Sequence, residues 1–289
     1  MIYYNPKSWI SLIFSIHKSD TLRILWLPML YVLLLTLTLA YIEINYLKEY
    51  TTYFEKILNI YQLIGFVISL LLVFRTNTAY DRWWEGRKQW GALMNASRSA
   101  VNMLSSFGLS EEDRLFLGRH LKNFPIALMY HLRNQDAFLY LKLTEEEKQT
   151  LKTKEHQPFY LSNLLIRKIS SLRKSGAIDD FQYLEINRTL QILMDVCGAC
   201  ERIKKTPIPF SYSLFFKKFI FLYILTMPFA FVPSMGYYAC FVSIFVFYVL
   251  VSIEVLAEEI EDPFGEDDND LPTDSISEGI GKSVDEYLS

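Results

Sequence analysis

Histidine and cysteine are scarce in this chain, at four and three residues among 289. His17, His120, His131 and His156 show no metal-ligand spacing, and an odd cysteine count argues against a disulfide framework. Cys197-Gly-Ala-Cys200 is a lone CxxC. Zinc would need a second pair or nearby histidines, so the motif reads as small residues packing a helix closely rather than as redox or zinc chemistry. A Gly-rich phosphate loop and a GxSxG elbow are both missing, which removes the usual starting points for phosphoryl transfer and serine hydrolysis. Basic residues are scattered and form no dense patch of the kind that binds nucleic acid. Period-two strand patterns of useful length and internal repeats are also lacking. Residues 1–20 have no small-residue cleavage site. They mix Tyr3, Tyr4, Trp9 and Phe14 with Lys7, His17 and Lys18, as expected of an amphipathic segment lying along a membrane interface.

Apolar residues, by contrast, make up 51% of the chain and aromatics 16%, beside 21% charged residues. The first two figures are too high for a typical soluble domain, and the third is too high for a protein wholly within a membrane. Four apolar runs approach the roughly 20 residues needed for a span. They cover residues 25–42, 57–74, 219–232 (lengthened by 213–216 and interrupted by Pro228) and 237–255. Pro233 to Gly236 reads as a short turn, making the last two runs a hairpin. Lys18 and Arg23 precede the first run, Arg75 to Lys88 follow the second, and Lys204, Lys205, Lys217 and Lys218 precede the third. The excess of Lys and Arg on these segments predicts that both termini and the long middle section are cytoplasmic.

The expected architecture is all-α, with four transmembrane helices and a cytoplasmic helical region. Its parts are 1–74 (interfacial segment and helices 1–2), 75–212 (cytoplasmic helices), 213–256 (helices 3–4) and 257–289 (acidic segment and tail). In the middle part, Ser110-Glu-Glu-Asp113 and Thr144-Glu-Glu-Glu147 have the character of capping boxes. Leu161, Leu164, Leu165 and Ile169 recur at helical spacing, as do Leu184, Ile192 and Val196. Gly176 falls where a helix would be closed. The Ser-, Asp- and Gly-rich tail after Leu271 reads as flexible.

Three blocks carry a family signal. Phe74-Arg-Thr-Asn-Thr-Ala-Tyr-Asp-Arg-Trp-Trp-Glu-Gly-Arg-Lys-Gln-Trp-Gly91 resembles the signature that follows the second membrane helix of the bestrophin ion channels. Asp262-Pro-Phe-Gly-Glu-Asp-Asp-Asn-Asp270 resembles their acidic segment after the fourth helix, and Thr206-Pro-Ile-Pro-Phe-Ser-Tyr212 their lead into the third. The blocks occur in family order, and the resemblance extends over about residues 1–272, in a chain compact enough for a prokaryotic member.

The resemblance implies a homopentameric channel of the chloride class, some prokaryotic members passing monovalent cations instead. It implies a hydrophobic neck built from Phe66, Leu70 and Phe74. From spacing alone these residues share one helix stripe, which would equally pack against a helix or lipid. A ring of such side chains gates by dewetting, and Gly65 beside them would let helices approach closely. The resemblance also implies a cytoplasmic constriction at Ile208, with Thr206 as the alternative. Asp267 and Asp270 match aspartates that clasp calcium in animal members, which makes them candidate Ca2+ ligands. The expected partners are membrane lipid, further copies of the chain and permeant ions, in a bacterial inner membrane, with neither catalysis nor a required cofactor. Two readings compete: a metal-dependent membrane enzyme using the acids from Glu254 to Asp270, and a non-conducting membrane scaffold.

Overall fold

The computed structural model describes residues 21–288, so the interfacial segment expected over residues 1–20 lies outside the described residues. The described residues are helical apart from short connections, and no strand occurs among them. In chain order the α-helices are α1 (Thr21–Tyr46), α2 (Thr51–Ser106), α3 (Glu111–Leu132), α4 (Glu145–Lys152), α5 (Gln157–Lys174), α6 (Asp180–Lys205), α7 (Phe210–Met235), α8 (Ala239–Glu261) and α9 (Thr273–Leu288). Three stretches are long and apolar enough to cross a membrane: Thr21–Tyr46, Lys56–Ser106 and Phe210–Glu261, the last holding both α7 and α8.

The chain divides into two compact units, residues 21–81 with 207–261, and residues 82–206 with 262–288. The breaks therefore fall near 81, 206 and 261, against the 74, 212 and 256 drawn from the apolar runs. The acidic segment and tail belong with the middle section rather than forming a part of their own.

In the apolar unit, α1 packs on α7 and α8. Leu25, Ile68, Leu72, Phe216, Ile220, Ile224, Phe247 and Leu250 make its main core. Hydroxyls on these helices return to the backbone one turn earlier: Thr36 donates to the Val32 carbonyl at 2.7 Å, Ser69 to Gly65 at 2.8 Å and Thr76 to Leu72 at 2.9 Å. Each hydroxyl thus finds its partner within its own helix. The turn between α7 and α8 comes later than the sequence suggests. Pro228 and Pro233 both sit inside α7, and the chain reverses only at Gly236, whose φ of 56° and ψ of −137° suit a residue without a Cβ.

The polar unit has a separate core, with Trp90, Leu93, Leu104, Leu117, Leu121, Phe124 and Leu128 at its centre. Ser110 caps α3 by accepting the Asp113 N–H, and Thr144 makes a full capping box with Glu147 at the start of α4. A second full box, Asp179 with Gln182, opens α6. Gly176, at φ 78°, ends α5 as expected. On α5, Leu161, Leu165 and Ile169 are buried. On α6 the buried stripe is Ile186, Leu190, Leu193, Val196, Cys197 and Cys200, while Leu184 and Ile192 of the expected pattern lie exposed. The tail, read from its composition as flexible, is helical. It forms α9, whose Ile276, Ile280, Val284 and Leu288 recur every four residues and are buried. The helix α9 lies on α3, where Gly118 gives it room: a Cβ there would sit 3.0 Å from Val284.

Candidate functional site

On α2 the apolar unit buries one face and leaves another bare. Ile68 and Leu72 are 1% and 2% exposed, whereas Phe66, Leu70 and Phe74 are 67%, 46% and 54% exposed. The bare stripe is longer than the three expected neck residues, since Ile60 and Leu63 precede it and Val73 flanks it. These follow at three- and four-residue steps, a signal already present in the sequence. Gly65 holds a close approach within the chain: a Cβ there would meet the Tyr223 hydroxyl of α7 at 2.8 Å.

The stripe ends at a buried ionic network. Arg75 follows Phe74 and is 1% exposed. Its Nη2 lies 2.8 Å from Glu261 Oε2 and its Nε 3.5 Å from Glu254 Oε1, both on α8. The other oxygen of Glu261 accepts the backbone N–H of Ile208 at 2.7 Å. One carboxylate thus joins the residue after the bare stripe to a candidate for the second constriction. Ile208 itself is buried against its own chain, at 9% exposed. Thr206 is exposed, closes α6, and its Oγ1 donates to the Arg202 carbonyl at 2.5 Å.

In the polar unit the tryptophan-rich motif builds a seat for the acidic turn. Arg82 donates to the carbonyls of Thr206 and Ile203 at 2.5 and 2.6 Å, capping the end of α6 from within the same chain. Trp83 Nε1 donates to the Asn269 carbonyl at 3.0 Å. Gly86 leaves space for the buried Phe264 ring, which a Cβ would meet at 3.1 Å. Trp83→Phe keeps an aromatic ring, though a smaller one, and removes that donor, and should lower stability by at least about 1 kcal/mol, read from the thermal unfolding of the solubilised protein. An unchanged midpoint would show that the bond does not help to hold the turn.

Asp267 and Asp270, the candidate calcium ligands, do lie together. Asp270 is 2% exposed, and its Oδ2 accepts the Asp267 N–H at 2.7 Å. The same oxygen sits where a Cβ on Gly265 would be only 2.6 Å away, so glycine is needed there. The adjoining cleft, of 260 Å³, also holds Arg133. That guanidinium pairs with Asp274 at 2.7 Å and lies 3.8 Å from Glu266. It holds the Asp274 carboxyl below the usual carboxylate range. Among the described residues, the turn does not bring three carboxylates close enough to share an ion. In the isolated chain, then, Asp270 braces a backbone turn and Arg133 supplies positive charge beside it.

Cys197 and Cys200 are both buried. Burial pushes the Cys197 thiol up to about 12 and the Cys200 thiol higher still, so both stay protonated and unreactive, as structural cysteines do.

The model of the bacterial and fungal bestrophin proteins matches residues 1–286. The voltage-dependent anion channel-forming protein YneE of Salmonella typhi is 33% identical over 288 residues, covering 97% of this chain and 91% of its own. A protein of the same description from Synechocystis, sll1024, is 34% identical over 77% of this chain and 75% of its own. Among solved structures, a bacterial bestrophin homologue from Klebsiella pneumoniae superposes with a TM-score of 0.81. It is 29% identical, over 90% of this chain and 97% of that one.

Proposed function

This chain belongs to the bestrophin family, and on that premise we propose that it is an anion channel of the cell membrane, conducting through a pore shared by a ring of subunits. The observation that carries this reading is the bare stripe of α2. Five large apolar side chains, Ile60, Leu63, Phe66, Leu70 and Phe74, face away from the chain's own core along one line. A single subunit has too few helices to enclose an ion path. Cyclic assembly lets each copy contribute one such line to a common axis. Four crossings, formed by α1, the apolar part of α2, α7 and α8, return the chain to the side it started from, and the Lys and Arg flanking them assign that side to the cytoplasm. A homopentamer follows from the family resemblance.

In this assembly Phe66, Leu70 and Phe74 form the neck. A narrow apolar ring sheds water, so an ion pays its dehydration there unless the ring widens. The second constriction falls at Thr206, which is exposed, and not at Ile208, whose side chain is buried against its own chain and whose backbone is held by Glu261. Neck side chains without charge do not choose the sign of the ion. The anion assignment therefore draws on the relatives that are named anion channel-forming proteins. A reversal potential measured across a KCl gradient in planar bilayers tests it: the chloride equilibrium potential is expected, and the potassium potential would assign monovalent-cation conduction. Proteoliposomes that hold the assembled protein yet pass no ion would favour the scaffold reading. The family and its named relatives are channel proteins, which favours conduction over the enzyme reading.

Calcium at Asp267 and Asp270 has its own test. A cation bound to the folded state raises the melting temperature by mass action. With Arg133 beside the cleft, millimolar calcium should shift the midpoint little. A rise abolished by Asp267→Asn with Asp270→Asn would establish the calcium clasp instead.

A further inference from the structure

Three elements of the polar unit converge on one carboxylate oxygen. His131 lies in the last turn of α3, His156 is the N-cap of α5, and Glu201 belongs to the final turns of α6. His131 Nε2 is 2.6 Å and His156 Nε2 2.9 Å from Glu201 Oε1. The two imidazole rings stand 4.5 Å apart at 30°. All three ligating atoms lie within 4.8 Å of one another.

We propose that this cluster binds a divalent cation of the zinc class through two imidazole nitrogens and one carboxylate oxygen, with a fourth position open to water. Imidazole and carboxylate are the donors such ions take, at about 2.0–2.2 Å. Tetrahedral ligands at that radius stand roughly 3.4 Å apart, so each His–Glu pair opens by less than about 1 Å to admit the ion. The side chains are 25%, 35% and 20% exposed, which leaves a path for the ion and its water. Lys205 faces the other oxygen of Glu201, at 3.7 Å, leaving Oε1 to the cluster.

The proton positions give the site a distinctive consequence. His156 Nδ1 accepts the Phe159 N–H at 3.1 Å, so without metal the ring carries its proton on Nε2 and donates it to Glu201. A cation at Nε2 takes the lone pair there, and the neutral ring then carries its proton on Nδ1. The Phe159 N–H then loses its acceptor. Metal binding is thereby coupled to release of the cap at the start of α5, one of the backbone donors that a helix N-terminus leaves to side chains.

The test uses the full-length protein in detergent, stripped with EDTA and titrated with Zn2+. One zinc per chain is expected. X-ray absorption should show nitrogen and oxygen neighbours with imidazole scattering, and no sulfur shell near ~2.3 Å. His131→Asn with His156→Asn should weaken binding by more than about a hundredfold, while Cys197→Ala with Cys200→Ala should leave it unchanged. Hydrogen exchange at the Phe159 amide should speed up when zinc binds. A sulfur shell, undiminished binding in the double histidine variant, or no stoichiometric binding would overturn the proposal. If the histidine variant fails to assemble, the absorption spectrum and amide exchange of the parent protein decide the matter.

Discussion

Leu70→Ala should raise ion flux through reconstituted protein by about tenfold, which corresponds to ~1.4 kcal/mol removed from the barrier. Leu70 is the middle residue of the three proposed for the neck, and it is 46% exposed in the single chain. Nothing within its own subunit therefore depends closely on its bulk. Truncating it in every copy widens the ring and relaxes the dewetting that holds ions back. Ile68→Ala, on the opposite face of the same helix, is the control. Ile68 is 1% exposed and sits in the core of the apolar unit, so its truncation should cost about 2–5 kcal/mol of stability and open nothing. Chloride efflux from liposomes at matched protein content reads both variants. Equal flux in Leu70→Ala and the parent, with assembly intact, would remove Leu70 from the neck.

The second large effect is expected at Arg75. Removing one partner of a buried ionic group leaves the others uncompensated, at a cost of about 3–5 kcal/mol. Arg75→Ala strands Glu254 and Glu261, whose side chains are 5% and 13% exposed. The melting temperature of the solubilised protein should fall sharply. Arg75→Lys should recover only part of the loss, because an ammonium cannot reach two carboxylates with the planar fork of a guanidinium. Arg75→Met combined with Glu254→Gln and Glu261→Gln should lie closer to the parent than Arg75→Ala does. If Arg75→Ala melts with the parent, the network contributes nothing to stability. Because Glu261 also holds the Ile208 backbone, the same variant should alter flux even where enough protein survives to assemble.

What the sequence disclosed depended on how local the signal was. The apolar runs were plain, because about 18 uncharged residues in a row have few readings. Ser110, Thr144 and Gly176 were found because capping chemistry acts over three or four positions. The continuation of α2 from its apolar part to Ser106 was less plain, since Arg75 breaks the apolar run. The structure shows that Arg75 is buried at that point by acids about 180 residues away in sequence. Pairing at such a distance leaves no periodic trace. The tail misled for another reason. Its serines and glycines resemble a linker, yet Ile276, Ile280, Val284 and Leu288 hold the spacing of a buried helix face. Composition there outweighed periodicity, and periodicity was right. On α6, Leu184 and Ile192 fitted a helical period but not the face that packs, a choice only the neighbouring helices determine. His131 and His156 looked unrelated because no motif joins them. They come together only in the fold, ring beside ring, at Glu201 on a third helix.

The most direct test of the shared-pore account is to image the solubilised, conducting particle along its symmetry axis. The account predicts a closed ring of identical chains, a pentamer, with Phe66, Leu70 and Phe74 of every copy turned toward the centre. A monomer that conducts, or a ring in which these three side chains face lipid, would contradict it.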